Sequence, residues 1–184
     1  MIRVLILFFI LNFYNPVFSS IKEKIISQMQ LTNNLSFNFI QTIDNKNENG
    51  KCIIEYPKKI WCAYDNSNKK IIVSNAKSLV IKTSNKGGYY LYPLSKTPLN
   101  FLLDKDYLIS KMKILEPKEI DGKYLNFKFL ENDNEINVFF DKKSLNLIGW
   151  QTEDVYQNLV ITFISSLKIN IKIKEKIFVL PKQN

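Results

Sequence analysis

Apolar residues recur along this chain with two different periods, and the changes of period divide it into elements. In residues 21–31, Ile21, Ile25, Ile26 and Met29 share one helical face while Lys22, Glu23, Lys24 and Gln28 fall elsewhere, which predicts an amphipathic helix packed on one side. From Leu35 the period becomes two: Leu35, Phe37, Phe39, Gln41 and Ile43 alternate with Ser36, Asn38, Ile40 and Thr42, a strand that runs into a polar turn at 44–49. Short strands are predicted next at 50–56, 60–64, 70–74 and 78–83, separated by gaps of hairpin length. Residues 89–103 begin as strand. Pro93 and Pro98 each bar the preceding residue from helical angles, and Thr97-Pro98 reads as N-cap and first helical position. Leu99, Phe101, Leu102 and Leu103 then cover most of the circumference of one turn, so that turn must be buried against a wide apolar surface.

A second helical turn is expected at 104–110, and the strand rhythm resumes from Lys111. Asp121-Gly122 predicts a type I′ hairpin between strands at 113–120 and 123–130, followed by strands at 135–141, 145–152 and 159–165 and a final segment at 167–180. Ten or so short antiparallel strands, a helix at the start and helical turns in the middle predict a mainly β (α+β) fold. One strongly curved sheet or barrel is the expected architecture.

The first residues change the picture of where the protein works. Arg3, the apolar run 4–13 and the small residues at 17–19 have the order of a secretory signal peptide over residues 1–20, which leaves a single domain over 21–184. No later stretch approaches the roughly 18 consecutive apolar residues of a spanning helix. No cysteine lies near the cut, so a lipid anchor there is not expected. The formal charge is +9, but the lysines are scattered among acids, which argues against nucleic acid. Such a basic protein is suited to anionic surfaces or acidic partners, although the richness in Lys, Asn and Ile also follows from base composition.

Candidate chemistry is sparse. The chain has no histidine, which removes the usual general base and metal ligand, and neither a cofactor nor a metal is expected. Asp104 with Asp106 and Glu153 with Asp154 sit in predicted turns, where acids cap and solvate more often than they catalyse. Gly87-Gly88 lacks the helix and lysine of a phosphate loop. Cys52 and Cys62 lie five residues to either side of Pro57 and are thus cross-strand neighbours, either a disulfide or two small buried residues. Large apolar side chains remain in excess, among them Phe37, Phe39, Tyr56, Ile60, Trp61, Tyr64 and Trp150. They are core residues individually and collectively suggest a hollow, apolar interior.

Taken in order, these pieces resemble the periplasmic outer-membrane lipoprotein carrier (LolA) family. The matching residues are Ser36-Phe37 with Phe39 and Gln41, Gly50 through Tyr56-Pro57, Trp61 with Tyr64, and Ile72-Val73-Ser74. The run Tyr92-Pro93-Leu94-Ser95-Lys96-Thr97-Pro98-Leu99 with Leu102-Leu103 is the most specific match, followed by Phe139-Phe140-Asp141, Leu147 with Gly149-Trp150, Asp154 and Phe178.

The resemblance implies an incomplete antiparallel barrel of about ten or eleven strands whose mouth is covered by helices. It implies no reaction, but a periplasmic monomer that carries lipoprotein acyl chains in a hydrophobic cavity from an ATP-driven inner-membrane release complex to the outer membrane, where delivery is either to an acceptor lipoprotein or direct. The implied lipid-binding and lid residues are Phe37, Phe39, Tyr56, Pro57, Ile60, Trp61, Tyr64, Pro93, Leu94, Pro98, Leu99, Phe101, Leu102, Leu103 and Trp150. One departure stands out: the family's lid-fastening arginine is here Tyr56, and Ile60 replaces a second, so a looser, mainly apolar lid is expected. The alternative is an envelope sensor of the same fold, usually with a second domain, and none is expected here. A lipid hydrolase is disfavoured by the absent histidine.

Overall fold

The structure is a computed structural model that describes residues 20–66, 68–84, 88–131, 134–154 and 157–183. Residues 1–19, and with them all but the last residue of the expected signal sequence, lie outside the described residues, as do 67, 85–87 (including Gly87), 132–133 and 155–156, all between predicted strands, and residue 184.

The first element is helix α1 (Ile21–Leu31). Ser20 caps it with a capping box: its hydroxyl accepts from the Glu23 amide and its own amide donates to the Glu23 carboxylate. Strands β1 (Asn34–Ile43), β2 (Lys46–Glu55), β3 (Lys59–Tyr64), β4 (Ile71–Asn75), β5 (Ser78–Lys82) and β6 (Tyr89–Pro93) form an antiparallel meander. A 3-10 turn (Leu94–Lys96) and helices α2 (Leu99–Leu102) and α3 (Lys105–Ile114) follow. The second meander comprises β7 (Lys118–Ile120), β8 (Tyr124–Glu131), β9 (Asn134–Asp141), β10 (Leu147–Glu153) and β11 (Leu159–Ile169), and a 3-10 turn (Glu175–Phe178) lies beyond it.

The two meanders join where β1 pairs antiparallel with β11, giving one sheet of order β6-β5-β4-β3-β2-β1-β11-β10-β9-β8-β7. Strands β6 and β7 are its two edges, so the sheet does not close. The chain passes from one edge to the other through α2 and α3, which places these helices across the open side. Curvature is concentrated at register shifts between Ser36 and Asn38 against β11 and between Leu147 and Gly149 against β9. Gly149 sits at the second, where a Cβ would lie 2.3 Å from the Thr162 carbonyl oxygen, a contact only glycine permits.

Several boundaries differ from the sequence expectation. The polar run 44–49 is not a long turn, because Asp44 and Asn45 (φ 48° and 61°) make a two-residue reversal and β2 begins at Lys46. Thr97 does not cap α2: its hydroxyl donates to the Leu94 carbonyl. Helix α3 continues to Ile114 where a strand from 111 is expected, because Leu108, Ile109 and Met112 keep a helical spacing against the core and only 118–120 pair as β7. The segment 167–180 is not a strand of its own, since β11 runs on to Ile169 and the rest carries the last 3-10 turn. The Asp121-Gly122 reversal is as expected (φ 52° and 66°).

The concave face holds the main core: Phe37, Phe39, Ile54 and Ile60 from the first meander, and Leu125, Phe127, Ile136, Val138 and Phe140 from the second. Ile25, Ile26 and Met29 of α1 and Leu108, Ile109 and Met112 of α3 close over it. A smaller packing sits elsewhere: Val73 and Val80 are buried outside the main core, and the C-terminal 3-10 turn bearing buried Phe178 packs on β3 and β4.

Helix α3 is also tied to the sheet by polar contacts. The Tyr107 hydroxyl donates to the Glu131 carboxylate at the end of β8, Lys111 pairs with the same carboxylate at 3.1 Å, and the Tyr107 ring packs on Phe129 and Phe101. The Tyr107 bond first, and Lys111 second, hold the Glu131 pKa below its ordinary value. The stabilisation is therefore present at neutral pH and is lost as pH falls through the depressed folded-state pKa. Glu131→Gln is expected to be slightly less stable than the parent at pH 7 and to lose less stability than the parent between pH 5 and pH 2, measured by urea unfolding across that range.

Candidate functional site

Alternation along each strand sends one set of side chains to the concave face, and beneath Pro98 and Leu99 that face leaves a cavity of about 290 Å³. Its walls are Phe39, Gln41 and Ile43 of β1, Ile60, Cys62 and Tyr64 of β3, and Trp150, Thr152 and Glu153 of β10. Ile72, Leu79, Ile81 and Tyr92 continue the wall toward the β6 edge, and Val160 and Thr162 of β11 complete it. Gly50 shapes this wall by absence, because a Cβ there would meet the Phe39 ring at 2.8 Å and the Ala63 carbonyl oxygen at 2.3 Å. Phe39 lies across from Gly50 in the register and meets Tyr64 edge to face at 4.9 Å.

Of the residues singled out from sequence, Phe39, Ile60, Tyr64, Pro98, Leu99, Trp150, Cys52 and Cys62 line this cavity. Tyr56, Leu102 and Leu103 sit with Leu99 and Trp150 around a much smaller void of about 20 Å³ under α2. Phe37 is packed edge-on against Trp150 at 6.0 Å, and Leu94 is buried in the main core. Phe101 turns to Tyr107 of α3, with ring centroids 5.1 Å apart. Pro57 and Pro93 are exposed at strand ends. Trp61 stands on the opposite face of β3 from Ile60, Cys62 and Tyr64, because neighbours on a strand point to opposite sides.

Sequence reasoning missed the threonines of the wall and the hydrogen bonds that link its polar residues. The Tyr64 hydroxyl donates to Gln41 Oε1 at 2.9 Å, and Gln41 Nε2 donates to Thr162 Oγ1 at 3.1 Å. Burial first, and the Glu48 charge second, raise the Tyr64 pKa, so the hydroxyl stays protonated and keeps donating. Lys70 covers the Tyr64 ring, its Nζ 3.8 Å from the centroid, and pairs with Glu48. Thr152 and Thr162 are foreseeable only once Trp150 is known to face inward, since both share its strand face.

Cys52 and Cys62 are directly opposite in the β2–β3 register and are joined as a disulfide with S–S 1.98 Å. Among the described residues no three His, Cys, Asp or Glu side chains converge to hold a metal, and no helix is long and apolar enough to cross a membrane. Two of the four acids considered from sequence have structural partners: Asp104 accepts from the Tyr107 amide at 3.1 Å as the α3 N-cap, and Asp154 accepts from the Asn158 amide at 2.9 Å.

The segment expected from sequence to act as a lid makes polar contacts besides its apolar ones. No partner bonds the Tyr56 hydroxyl among the described residues, and burial raises its pKa above the ordinary value. The β2–β3 turn instead grips the lid through Lys58, whose amide donates to the Leu103 carbonyl at 2.7 Å and whose ammonium pairs with Asp104 at 3.2 Å. Lys105 then donates to the Gln30 and Thr32 carbonyls at 3.1 and 2.9 Å, which joins the start of α3 to the end of α1. The residues of the expected lid are thus held by polar contacts from two lysines and one backbone amide in addition to the apolar packing of Leu99, Leu102 and Leu103.

The model of the family described as "Outer membrane lipoprotein carrier protein LolA" matches residues 30–181. The chain belongs to this lipoprotein carrier family. No curated protein matches it. Among solved structures, a LolA superfamily protein from Nitrosomonas europaea is 9% identical, covering 88% of this chain and 99% of its own, with TM-score 0.47. A putative outer membrane lipoprotein-sorting protein domain from Vibrio parahaemolyticus is likewise 9% identical, covering 85% and 95%, with TM-score 0.48. LprF from Mycobacterium bovis is 13% identical, covering 84% and 94%, with TM-score 0.45. Membership rests on the family model, which spans both meanders and the lid between them.

Two outcomes follow from this geometry. Alkylation of the unreduced, denatured protein is expected to find no free thiol, and reduction is expected to cost about 2–3 kcal/mol of unfolding free energy for a loop this short, read from denaturant titrations. Tyr56→Phe is expected to change stability by less than about 0.5 kcal/mol, because it removes an unpartnered hydroxyl. A larger loss in the same titration would reveal a latch at that oxygen.

Proposed function

We propose that this family member is a periplasmic carrier that takes lipoproteins released from the inner membrane, holds their acyl chains in the concave cavity and delivers them to the outer membrane. The observation that carries the proposal is the apolar cavity under Pro98 and Leu99 in a chain matched by the carrier family's model. The physical need is large. Each methylene brought into water costs about 0.8 kcal/mol, so one chain of about 14 methylenes opposes desorption by about 11 kcal/mol, and lipoproteins carry two or three. An apolar cavity offsets that cost.

The cavity volume of about 290 Å³ is at the small end for a ligand site. Loading two or three chains therefore requires α2 to move, and the hinge is the segment between exposed Pro93 and Asp104. When cargo leaves, Leu99, Leu102 and Leu103 return to the apolar wall, and that burial favours release. Partners in this scheme are acylated lipoproteins, an ATP-driven release complex in the inner membrane and an acceptor in the outer membrane. The binding is non-enzymatic, and residues 1–20 serve as the export signal.

The test is to incubate the purified protein with spheroplasts that are synthesising labelled lipoproteins. Labelled lipoprotein is expected in the soluble fraction, co-purifying with the protein. Its complete retention on the spheroplast membrane, with the protein shown to be folded, would overturn the proposal.

A further inference from the structure

The concave cavity is apolar except at one end, and that end carries more polar groups than its own network uses. Thr162 (2% exposed) accepts a hydrogen bond from Gln41, while its hydroxyl proton has no acceptor among the described residues. Thr152 (6% exposed) also lines the cavity, and its hydroxyl has no hydrogen-bond partner among the described residues. The two lie on the same face of the β10–β11 pair, where Thr152 is opposite Val160 and Thr162 is opposite Trp150. The Thr152 hydroxyl thus opens into the cavity with its hydrogen-bonding capacity unused by the protein, placed to meet a polar group that a ligand carries to this end.

From this we infer that Thr152, assisted by Thr162, recognises the ester carbonyls where acyl chains join a glyceryl group. This rests on the carrier reading and deepens it, because it assigns an end of the cavity to the linkage region of the lipid and the apolar remainder to its chains. A neutral carbonyl oxygen accepts from both hydroxyls. A free carboxylate fits poorly, since Glu153 and Asp154 stand at the same end and the nearby cation, Lys70, is already paired with Glu48. The geometry thus favours esterified acyl chains over free fatty acids, and ester-linked over ether-linked lipid.

The experiment displaces a fluorescent apolar dye from the purified protein with three competitors of equal chain length. These are a synthetic diacylglyceryl-cysteine peptide, its dialkyl ether analogue lacking both carbonyls, and palmitate. One hydrogen bond of ordinary strength predicts that the ester displaces the dye about 3- to 10-fold better than the ether, with palmitate weaker than the ester. With displacement referred to each variant's own dye affinity, Thr152→Val is expected to abolish the ester preference, and Thr152→Ser, which keeps the hydroxyl, is expected to retain it.

Equal displacement by ester and ether in the parent protein would overturn the inference while leaving the carrier reading intact. Persistence of the preference in Thr152→Val would overturn the role of Thr152. Failure of every competitor to displace the dye would overturn both readings. Should Thr152→Val fail to fold, the ester-to-ether comparison in the parent protein decides alone.

Discussion

An eleven-stranded sheet with two free edges cannot bury its own concave face, and everything else in this protein follows from covering that face. A closed barrel would pack its interior with side chains from all sides. Here the pairing of β1 with β11 makes one continuous sheet, and the chain available to cover the open side is the connection between the edges β6 and β7. That connection is α2 and α3, joined by α1 from the N-terminal side. Cover and cavity are thus one feature: where the helices meet the sheet there is core, and where they fall short there is empty apolar space.

The fastening of the cover suits the movement proposed for it. Its apolar contacts, through Leu99, Leu102 and Leu103, are short-range and few. Its polar ties are a backbone bond from Lys58, a partly exposed ion pair with Asp104 and the two carbonyl contacts of Lys105. Partly solvated ion pairs contribute about 0–1 kcal/mol each, too little to lock a helix yet enough to define where it returns. Helix α3 is held to the sheet by the edge-to-face contact of Tyr107 with Phe129 and by a buried apolar stripe, a broader attachment than that of the single turn α2.

In the proposed carrier, the polar end of the cavity would give an acyl ligand a direction. Tyr64, Gln41 and Thr162 form a chain of hydrogen bonds whose members fix one another, and a preformed network of this kind costs little to align when a polar group docks. The disulfide between Cys52 and Cys62 stiffens the two strands behind this wall. In the proposed carrier, paired strands, a small polar pole and a light cover would separate the tasks of orienting a lipid and letting it go.

Much of this is legible in the residues themselves. Local rules suffice for α1, for the alternation of β1 to β6 and for the Asp121-Gly122 reversal, because propensity, period and turn chemistry agree there. The same alternation, with the cysteines placed symmetrically about Pro57, is enough to make Cys52 and Cys62 cross-strand neighbours. Three-dimensional packing decided the rest. Helix α3 extends past Lys111 because its buried face continues, and Trp61 leaves the cavity because its neighbours Ile60 and Cys62 already point inward. Which Tyr56 contacts exist, and that Lys58 and Lys105 hold the lid, depends on residues brought together from distant parts of the chain. Thr152 and Thr162 carry no signal in sequence, since a threonine in a strand is ordinary; only their burial against an empty apolar space makes them informative.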